Sequence, residues 1–464
     1  MEIRLPEKVK FIIRLLERNG YEAYAVGGCI RDSLLGRTPQ DWDITTSASP
    51  EAVKNIFHRT VDTGIEHGTV TVLLEREGFE VTTYRIDGVY EDARHPKNVI
   101  FTRSLSEDLK RRDFTINAMA YNETNGLVDL FGGQKDLEQG RICCVGTAKE
   151  RFTEDALRML RAVRFGAQLG FSIEENTKEA IRELAGNLVK ISAERIQAEL
   201  VKLLCSDHPE DIRVLYETGI SGVIFPWFDV MMETPQNNPH HCYSVGEHTI
   251  EALRHIPPER VLRLTMLFHD IAKPACRTTD DDGVDHFKGH PEMGAERTAE
   301  IMRQLKFDND TISRVKALVR WHDDNPAATP RSVRRAIHRV GLRQYPDLFA
   351  VKRADTMGKC REEQAETLNY IDAYEAQYEK ILAEGQCVAL ADLDISGRDL
   401  ISAGWESGRQ IGATLDALLT MVLEHPEYNH KEILMHLARE YAILSGSEKA
   451  DDRQEGTGGS HEKA

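Results

Sequence analysis

The sequence predicts an α+β fold in which a sheet-bearing first third is followed by an all-α remainder. Three observations predict it. Short Val- and Thr-rich alternating runs occur only in about the first 145 of 464 residues. From about residue 150 apolar residues recur at spacings of three and four almost to the end. The length allows several separate cores.

In chain order, Pro6 and the apolar positions Val9, Ile12, Ile13, Leu15 and Leu16, with Gly20 as a stop, predict a helix over 6–19. "YEAYAV" alternates like a strand and runs into Gly27-Gly28. "GTVTVLLEREGFEVTTYRI" (68–86) predicts a β-hairpin turning at Glu77-Gly78. "EDALRMLRAVRFGAQLGF", "ISAERIQAELVKLL", "TISRVKALVRWH" and "IGATLDALLTMVLEH" carry the helical pattern. No repeat of fixed period is present, and 446–464 has almost nothing to bury, which predicts a disordered tail.

A net charge of −17 does not supply phosphate binding, which needs local Lys and Arg. Arginine is concentrated in "KRRDF", "LRMLRAVRF" and "RSVRRAIHRVGLR". The eight cysteines form no C-x-x-C pair and read as reduced, mostly buried thiols. No leader pattern opens the chain and no apolar run reaches the roughly 18 residues of a membrane span, so a cytoplasmic protein without membrane association is expected.

The chemistry starts at "AVGGCIRDSLLGRTPQDWDITT" (25–46). On a strand, side chains at i and i+2 share a face, so Asp41 and Asp43 present two carboxylates together while Trp42 packs behind. Such a pair repels itself unless a cation intervenes, and open oxygen ligation suits Mg²⁺. Backbone at Gly27 and Gly28 can approach a triphosphate and aim N–H groups at it, with Arg31 to neutralise it. Metal plus phosphate cradle implies nucleotidyl transfer by two ions. A lone D-x-D is common as a turn feature; G-G, R-D and D-x-D at this spacing is much rarer. Glu80, on the hairpin, is a third carboxylate candidate.

"GGCIRD…DWDIT", "YEDARHPKNVIF" (90–101), "LKRRDFTINAMA" (109–120), "LVDLFGGQKDLEQGRI" (127–142) and "EDALRMLRAVRF" (154–165) together resemble the class II tRNA nucleotidyltransferase and bacterial poly(A) polymerase family over roughly 1–205. The resemblance implies a polymerase-β-like nucleotidyltransferase sheet domain. It also implies tRNA, CTP and ATP as partners, with no obligate protein partner, and Mg²⁺ at Asp41 and Asp43. Its R-R-D motif matches Arg111, Arg112 and Asp113, of which Arg112 and Asp113 are expected against the nucleotide. Its E-D-x-x-R motif matches Glu154, Asp155 and Arg158 as a protein template for the base, with Arg161 and Arg164 of the same run as further nucleotide contacts. "DARHPKNV" resembles the flexible loop of enzymes that add the terminal A.

On the residues alone, Thr153 reads as a helix N-cap, and Asp155 and Arg158 as an intrahelical ion pair. The template reading follows from hydrogen-bonding capacity. Cytosine and adenine offer an amino donor beside an unprotonated ring nitrogen; uracil and guanine offer a carbonyl beside a ring N–H. A carboxylate only accepts and a guanidinium only donates, so the pair accepts C and A and rejects U and G.

The helical half holds a second set: His248, His269, Asp270 and Asp355, with His290 and His322 as additional candidates. Imidazoles with carboxylates suit a transition metal such as Mn, Co, Ni or Zn. An isolated histidine on an apolar face is ordinarily a satisfied core residue; the five elements "HHCYSVGEHTIEAL", "LTMLFHDIAKP", "KGHPEMGAERTAEIM", "VRWHDD" and "FAVKRADTMGK" in order resemble the HD phosphohydrolase domain, which implies metal-dependent hydrolysis of a phosphate ester. Residues 393–438 resemble the C-terminal helical segment of CCA-adding enzymes. Arg334 and Arg335 are candidate RNA contacts.

The expected organisation is a catalytic head (1–145), a helical neck (146–235), an HD-type domain (236–365), a helical tail domain (366–445) and the tail 446–464. The leading expectation is CCA addition to tRNA 3′ ends. An A-adding enzyme or poly(A) polymerase shares the motifs, and a metal-dependent phosphohydrolase is the alternative of another class.

Overall fold

The computed structural model describes residues 3–87, 99–237, 242–360 and 364–444. The tail 446–464 and all of "DARHPKNV" except Val99 lie outside the described residues. The chain divides into two compact units, Met1–His322 with Ala350–Gln364, and Asp323–Phe349 with Ala365–Ala464.

In the first unit, α1 (Glu7–Arg18) follows Pro6 and buries Val9, Ile12, Ile13 and Leu16, on the order of 2 kcal/mol per side chain. It is followed by β1 (Ala23–Val26), α2 (Gly28–Leu34), β2 (Ile44–Thr46), α3 (Pro50–Ile56), β3 (Thr60–Gly64), β4 (Thr69–Leu74) and β5 (Glu77–Thr83). A short ribbon, β6 (Arg85–Asp87) with β7 (Val99–Phe101), leads to α4 (Leu105–Lys110), β8 (Met119–Asn122) and β9 (Gly126–Asp129). The seven-stranded sheet runs β3-β4-β5-β2-β1-β8-β9. Only the β2–β5 pairing in it is parallel, with Ile44 opposite Val81.

Two expectations are corrected here. The β4–β5 hairpin turns at Glu75-Arg76, because Leu74 pairs with Glu77 and Glu75 takes φ +58°. Lys8 binds both Glu75 and Glu77, at 2.7 and 3.2 Å, and fixes that turn. Gly78 lies within β5, where a Cβ would stand 2.9 Å from Thr71 Cγ2; the glycine answers a close approach, not a turn. Asp41 and Asp43 lie in the extended run before β2, although the Asp43 carbonyl still accepts the Val26 N–H at 3.0 Å.

The rest of the unit is helical apart from short two-residue strands: α5 (Gly133–Glu138), α6 (Ala148–Glu154), α7 (Leu157–Leu169), α8 (Glu175–Leu184) and α9 (Ala193–Leu204) precede the helices that carry the histidines. Cys242 and Cys360, 118 positions apart, are joined in a disulfide with Cα atoms 6.0 Å apart. For this pair the expectation of reduced thiols is corrected: no local spacing signals the bridge, and the fold alone brings the two cysteines together.

The second unit packs the helices Arg409–Glu424 and Lys431–Leu444 around Leu418, Leu419, Val422, Leu434 and Ala438. Tyr345, Phe349, Tyr374 and Tyr378 form an aromatic cluster, with the Tyr345 hydroxyl donating to that of Tyr374 at 2.8 Å. The helix Pro330–Val340 buries Arg334, which is 4% exposed. Its guanidinium donates to the carbonyls of Leu423 (2.8 Å) and Glu424 (3.2 Å) and to Gln386 (2.9 Å). Those carbonyls are the unpaired ones at a helix C-terminus, and Arg334 satisfies them. Arg334 is therefore a buried cap and not the phosphate contact expected of it. Arg335 is exposed and pairs with Glu424.

Candidate active site and a second ligand cluster

Gly27 ends β1 at φ +85°, and a Cβ there would stand 3.0 Å from Arg112 Nη1. Its N–H donates to the Met119 carbonyl at 3.1 Å. This glycine supplies the bend and the room, not the phosphate-facing donor expected of it. Arg31, on α2, donates to Asn117 Oδ1 and to Asp32 Oδ1, each at 2.8 Å.

A relay continues from there. Asn117 donates to Asp113 Oδ1 at 3.2 Å, Asp113 accepts Arg161 at 2.7–2.8 Å, and Arg164 donates to Glu199 at 2.8 Å. The guanidiniums of Arg31, Arg161 and Arg164 surround the Phe165 ring, 5.1, 5.3 and 3.5 Å from its centroid. Burial alone would raise the Asp113 carboxyl, but Arg161 beside it holds it down at about 2. Asn117 and Glu199 escaped the sequence reading. Asn117 had one available signal, its place four residues after Asp113 in "RRDFTIN".

This wall faces a cleft of about 700 Å³ lined by Gly27, Gly28, Arg31, Arg112, Arg161 and Arg164, and bordered by Asp41 and Asp43. The β2–β5 register, carried back one residue from Ile44 and Val81, sets Asp43 beside Glu80. Desolvation pushes the Asp43 carboxyl above the ordinary range, opposed by Arg112 and assisted by Asp41. Desolvation also raises Glu80, with the charges of Asp43 and Asp41 adding to it. Three mutually repelling carboxylates, on β5 and the run into its neighbour β2, are a donor set that fits a hard divalent cation such as Mg²⁺. Their oxygens are not all within 4.8 Å of one another, so the acids are neighbours and not a closed cage.

The E-D-x-x-R residues stand otherwise than expected. Thr153 is inside α6 and donates to the Lys149 carbonyl, so it is no N-cap. Helix α6 ends at Glu154, and Asp155, at φ −140°, ψ 104°, breaks the chain before α7. Asp155 does not pair with Arg158: its two oxygens accept the fork of Arg195 at 3.2 and 2.7 Å, and Oδ1 also takes the Leu157 N–H at 3.1 Å. Arg158 donates to Glu154 at 2.6 Å and to the Arg111 carbonyl at 3.0 Å. Neither Asp155 nor Arg158 lines the 700 Å³ cleft. Arg195 was not foreseen.

The second set converges fully. Each of four imidazoles directs Nδ1 at a backbone carbonyl: His248 at Gly358 (3.2 Å), His269 at Met266 (2.7 Å), His290 at Phe287 (2.8 Å) and His322 at Val319 (2.7 Å). That bond fixes Nδ1 as the protonated nitrogen and leaves Nε2 a lone pair aimed inward. His248 and His269 Nε2 lie 3.6 and 3.1 Å from Asp270 Oδ2; His290 and His322 Nε2 lie 3.3 and 3.6 Å from Asp270 Oδ1. Asp355 Oδ1 is 2.9 Å from His248 Nε2. Lys273 Nζ, 2.8 Å from Asp270 Oδ2, and Lys359 Nζ, 2.7 Å from Asp355 Oδ2, already offset part of the carboxylate charge, and the imidazole nitrogens add donors for a metal ion. Among the described residues, the groups of three or more His, Cys, Asp or Glu that could hold a metal are His248–His269–Asp270 and Asp270–His290–His322. The donor set fits a transition metal, and Asp270 is common to both groups.

A mixed sheet that brings carboxylates and a set of arginines onto the lining of one cleft is the arrangement of a nucleotidyltransferase, and the Poly A polymerase head domain family matches residues 23–143. The CCA-adding enzyme of Levilactobacillus brevis is 36% identical over 445 residues, 93% of this chain and 98% of that protein. The chain belongs to the CCA-adding enzyme family.

A tRNA nucleotidyltransferase domain 2 family matches 290–438. The CCA-adding enzyme of Lactiplantibacillus plantarum is 56% identical over 203 residues, 44% of this chain; in that match the chain spans about half (50%) of the relative's length. The crystal structure of the Bacillus stearothermophilus CCA-adding enzyme in complex with CTP superposes with a TM-score of 0.70 at 29% identity, over 94% of this chain and 98% of the other.

Proposed function

We propose that this chain is a template-independent tRNA nucleotidyltransferase that completes tRNA 3′ ends with C, C and A from CTP and ATP in the cytoplasm. The observation that carries the reading is the presence, on the lining of one cleft, of Asp41 and Asp43 together with Arg31, Arg112, Arg161 and Arg164. The arginines would neutralise the triphosphate and its pyrophosphate leaving group. The RNA 3′ oxygen bonds to the α-phosphorus, the bond to pyrophosphate breaks, and the hydroxyl proton passes to solvent or to a carboxylate. Asp41, Asp43 and Glu80 would hold Mg²⁺ in a two-ion arrangement, which when bound acidifies the attacking hydroxyl and offsets charge at the leaving oxygen.

Asp155 and Arg158, as acceptor and donor, would choose the base, with Glu154 and Arg195 holding them in place. The test supplies tRNA lacking its last three nucleotides with all four NTPs and sequences the products; addition of A alone or of a long A tract would replace this reading by the A-adding or poly(A) one.

A second activity is favoured by one observation, the four inward Nε2 lone pairs around Asp270. With Mn, Co, Ni or Zn bound, this site would act as a phosphohydrolase on phosphate esters. Assays for phosphatase and cyclic phosphodiesterase activity with each metal test it, and uniform inactivity with no bound metal refutes it.

A further inference from the structure

The second cluster meets solvent at one edge. The Asp355 side chain is 14% exposed, against 0–8% for the other candidate ligands, so that edge lies at Asp355. Two segments come together there, the end of the helix Tyr345–Met357 with Asp355 and the helix Val245–Leu253 with His248. His248 Nε2 lies 2.9 Å from Asp355 Oδ1, and its Nδ1 donates to the Gly358 carbonyl at 3.2 Å. The chain at Gly358 passes so near Ala252 that a Cβ would stand 2.9 Å from Ala252 Cβ. The same two segments are tied covalently: Cys242 stands just before the one helix, and Cys360, its disulfide partner, just after the other.

The remaining six cysteines are free thiols. In the proposed cytoplasmic setting thiols are kept reduced, and a disulfide that forms there is ordinarily a reversible one that responds to redox state. Cys242 is exposed and Cys360 partly so, and exchange needs a sulfur that an attacking thiolate can reach. We infer that Cys242–Cys360 is a reversible staple on the second cluster. Closed, it holds the His248 and Asp355 segments together around a metal ion; a dithiol reductant opens it and loosens that hold. One thiolate of the dithiol bonds to Cys242 Sγ, the bond between the two cysteines breaks, and Cys360 leaves as a thiolate that takes a proton. The second thiolate of the reagent then attacks the mixed disulfide and expels Cys242. The protein gains two electrons and two protons, the dithiol leaves as its own disulfide, and a low-molecular-weight disulfide reverses both steps. Opening the staple keeps every ligand but frees the two segments, so ordering them around an ion costs more. The arginine-lined cleft includes neither Cys242 nor Cys360, so nucleotidyl transfer is not coupled to the staple.

This inference rests on the metal-bearing reading of the cluster, and the experiment separates the two. Full-length protein is oxidised with oxidised glutathione, or reduced with dithiothreitol and then freed of it without air, and compared with a Cys242→Ser, Cys360→Ser double variant. Mn²⁺, which prefers oxygen ligands to thiolates, is titrated calorimetrically with excess Mg²⁺ occupying the first site, and Asp270→Asn gives the background. Amide hydrogen exchange is followed in metal-free protein over 245–248 and 355–358. Reduction should weaken Mn²⁺ binding by about tenfold and speed exchange in both stretches. The double variant should match the reduced form and not respond to dithiothreitol; the reduced unsubstituted protein keeps the test standing if that variant fails to fold. Equal Mn²⁺ affinity before and after reduction, or eight free thiols after oxidation, overturns the inference. If no form binds Mn²⁺, the metal reading falls, and exchange alone decides whether the disulfide holds the edge: rates unchanged by reduction remove the staple as well.

Discussion

Asp155 is gripped on both carboxylate oxygens by the guanidinium fork of Arg195, at 3.2 and 2.7 Å, and not by Arg158. If Asp155 reads the base, Arg195 fixes where it does so. Asp155→Ala and Arg195→Ala should each lower the ratio of C and A to U and G incorporation by about tenfold to a hundredfold, more than they slow transfer itself. Incorporation of each of the four NTPs measures this, and unchanged selectivity in both variants would remove the pair from base choice.

Asp43 and Glu80 should each be needed for transfer of every nucleotide. Asp43→Ala or Glu80→Gln is expected to cost about 10²–10³ in kcat, whichever NTP is supplied. Full activity in either variant would exclude that side chain from the metal site.

The same two carboxyls fix a pH dependence. Both are raised by desolvation, so the folded chain holds protons that the unfolded chain has released. Their contribution to stability is present below the ordinary carboxylate pKa and is lost as pH rises through the raised values. Where both acids are charged they repel, and bound Mg²⁺ would relieve the repulsion. Thermal unfolding should therefore shift upward with Mg²⁺ at neutral pH, less so as pH falls through the raised values, and not at all in the Asp43→Asn, Glu80→Gln double variant.

If the second cluster holds the proposed metal, Asp270→Asn should lower metal content, measured by elemental analysis of the purified protein, and with it the proposed phosphohydrolysis. Nucleotidyl transfer should survive. Asp355→Asn, at the edge of the cluster, should weaken metal binding by about 10- to 100-fold and provides a milder second test.

Arg334→Ala should destabilise the second unit by about 2 kcal/mol, because it uncovers the Leu423 and Glu424 carbonyls. It should leave the salt dependence of RNA binding unchanged. A loss of RNA affinity at unchanged stability would return Arg334 to the phosphate contacts.

Legibility in the sequence followed physical range. The α1 stripe, the Gly27 bend and the helical half declare themselves through local periodicity and turn chemistry, and they stand in the structure. The six residues of the second cluster were all named from sequence because a ligand side chain keeps its identity wherever the fold carries it. What escaped was pairing at a distance: Asp155 with Arg195, forty positions on, and Cys242 with Cys360. Local rules also misled where a nearer partner won. The hairpin turns at Glu75-Arg76, where Glu75 takes a positive φ, while Gly78 serves a close approach to Thr71 within β5, and Thr153 spends its hydroxyl on Lys149 inside a helix.

On the proposed function, one cleft adds C, C and A in that order. The most direct measurement incubates tRNA lacking its last three nucleotides with CTP, ATP, GTP and UTP together and Mg²⁺, and sequences every 3′ end. A single product ending in CCA is expected. Termination after CC, addition of A alone, a long A tract, or frequent U or G would contradict it.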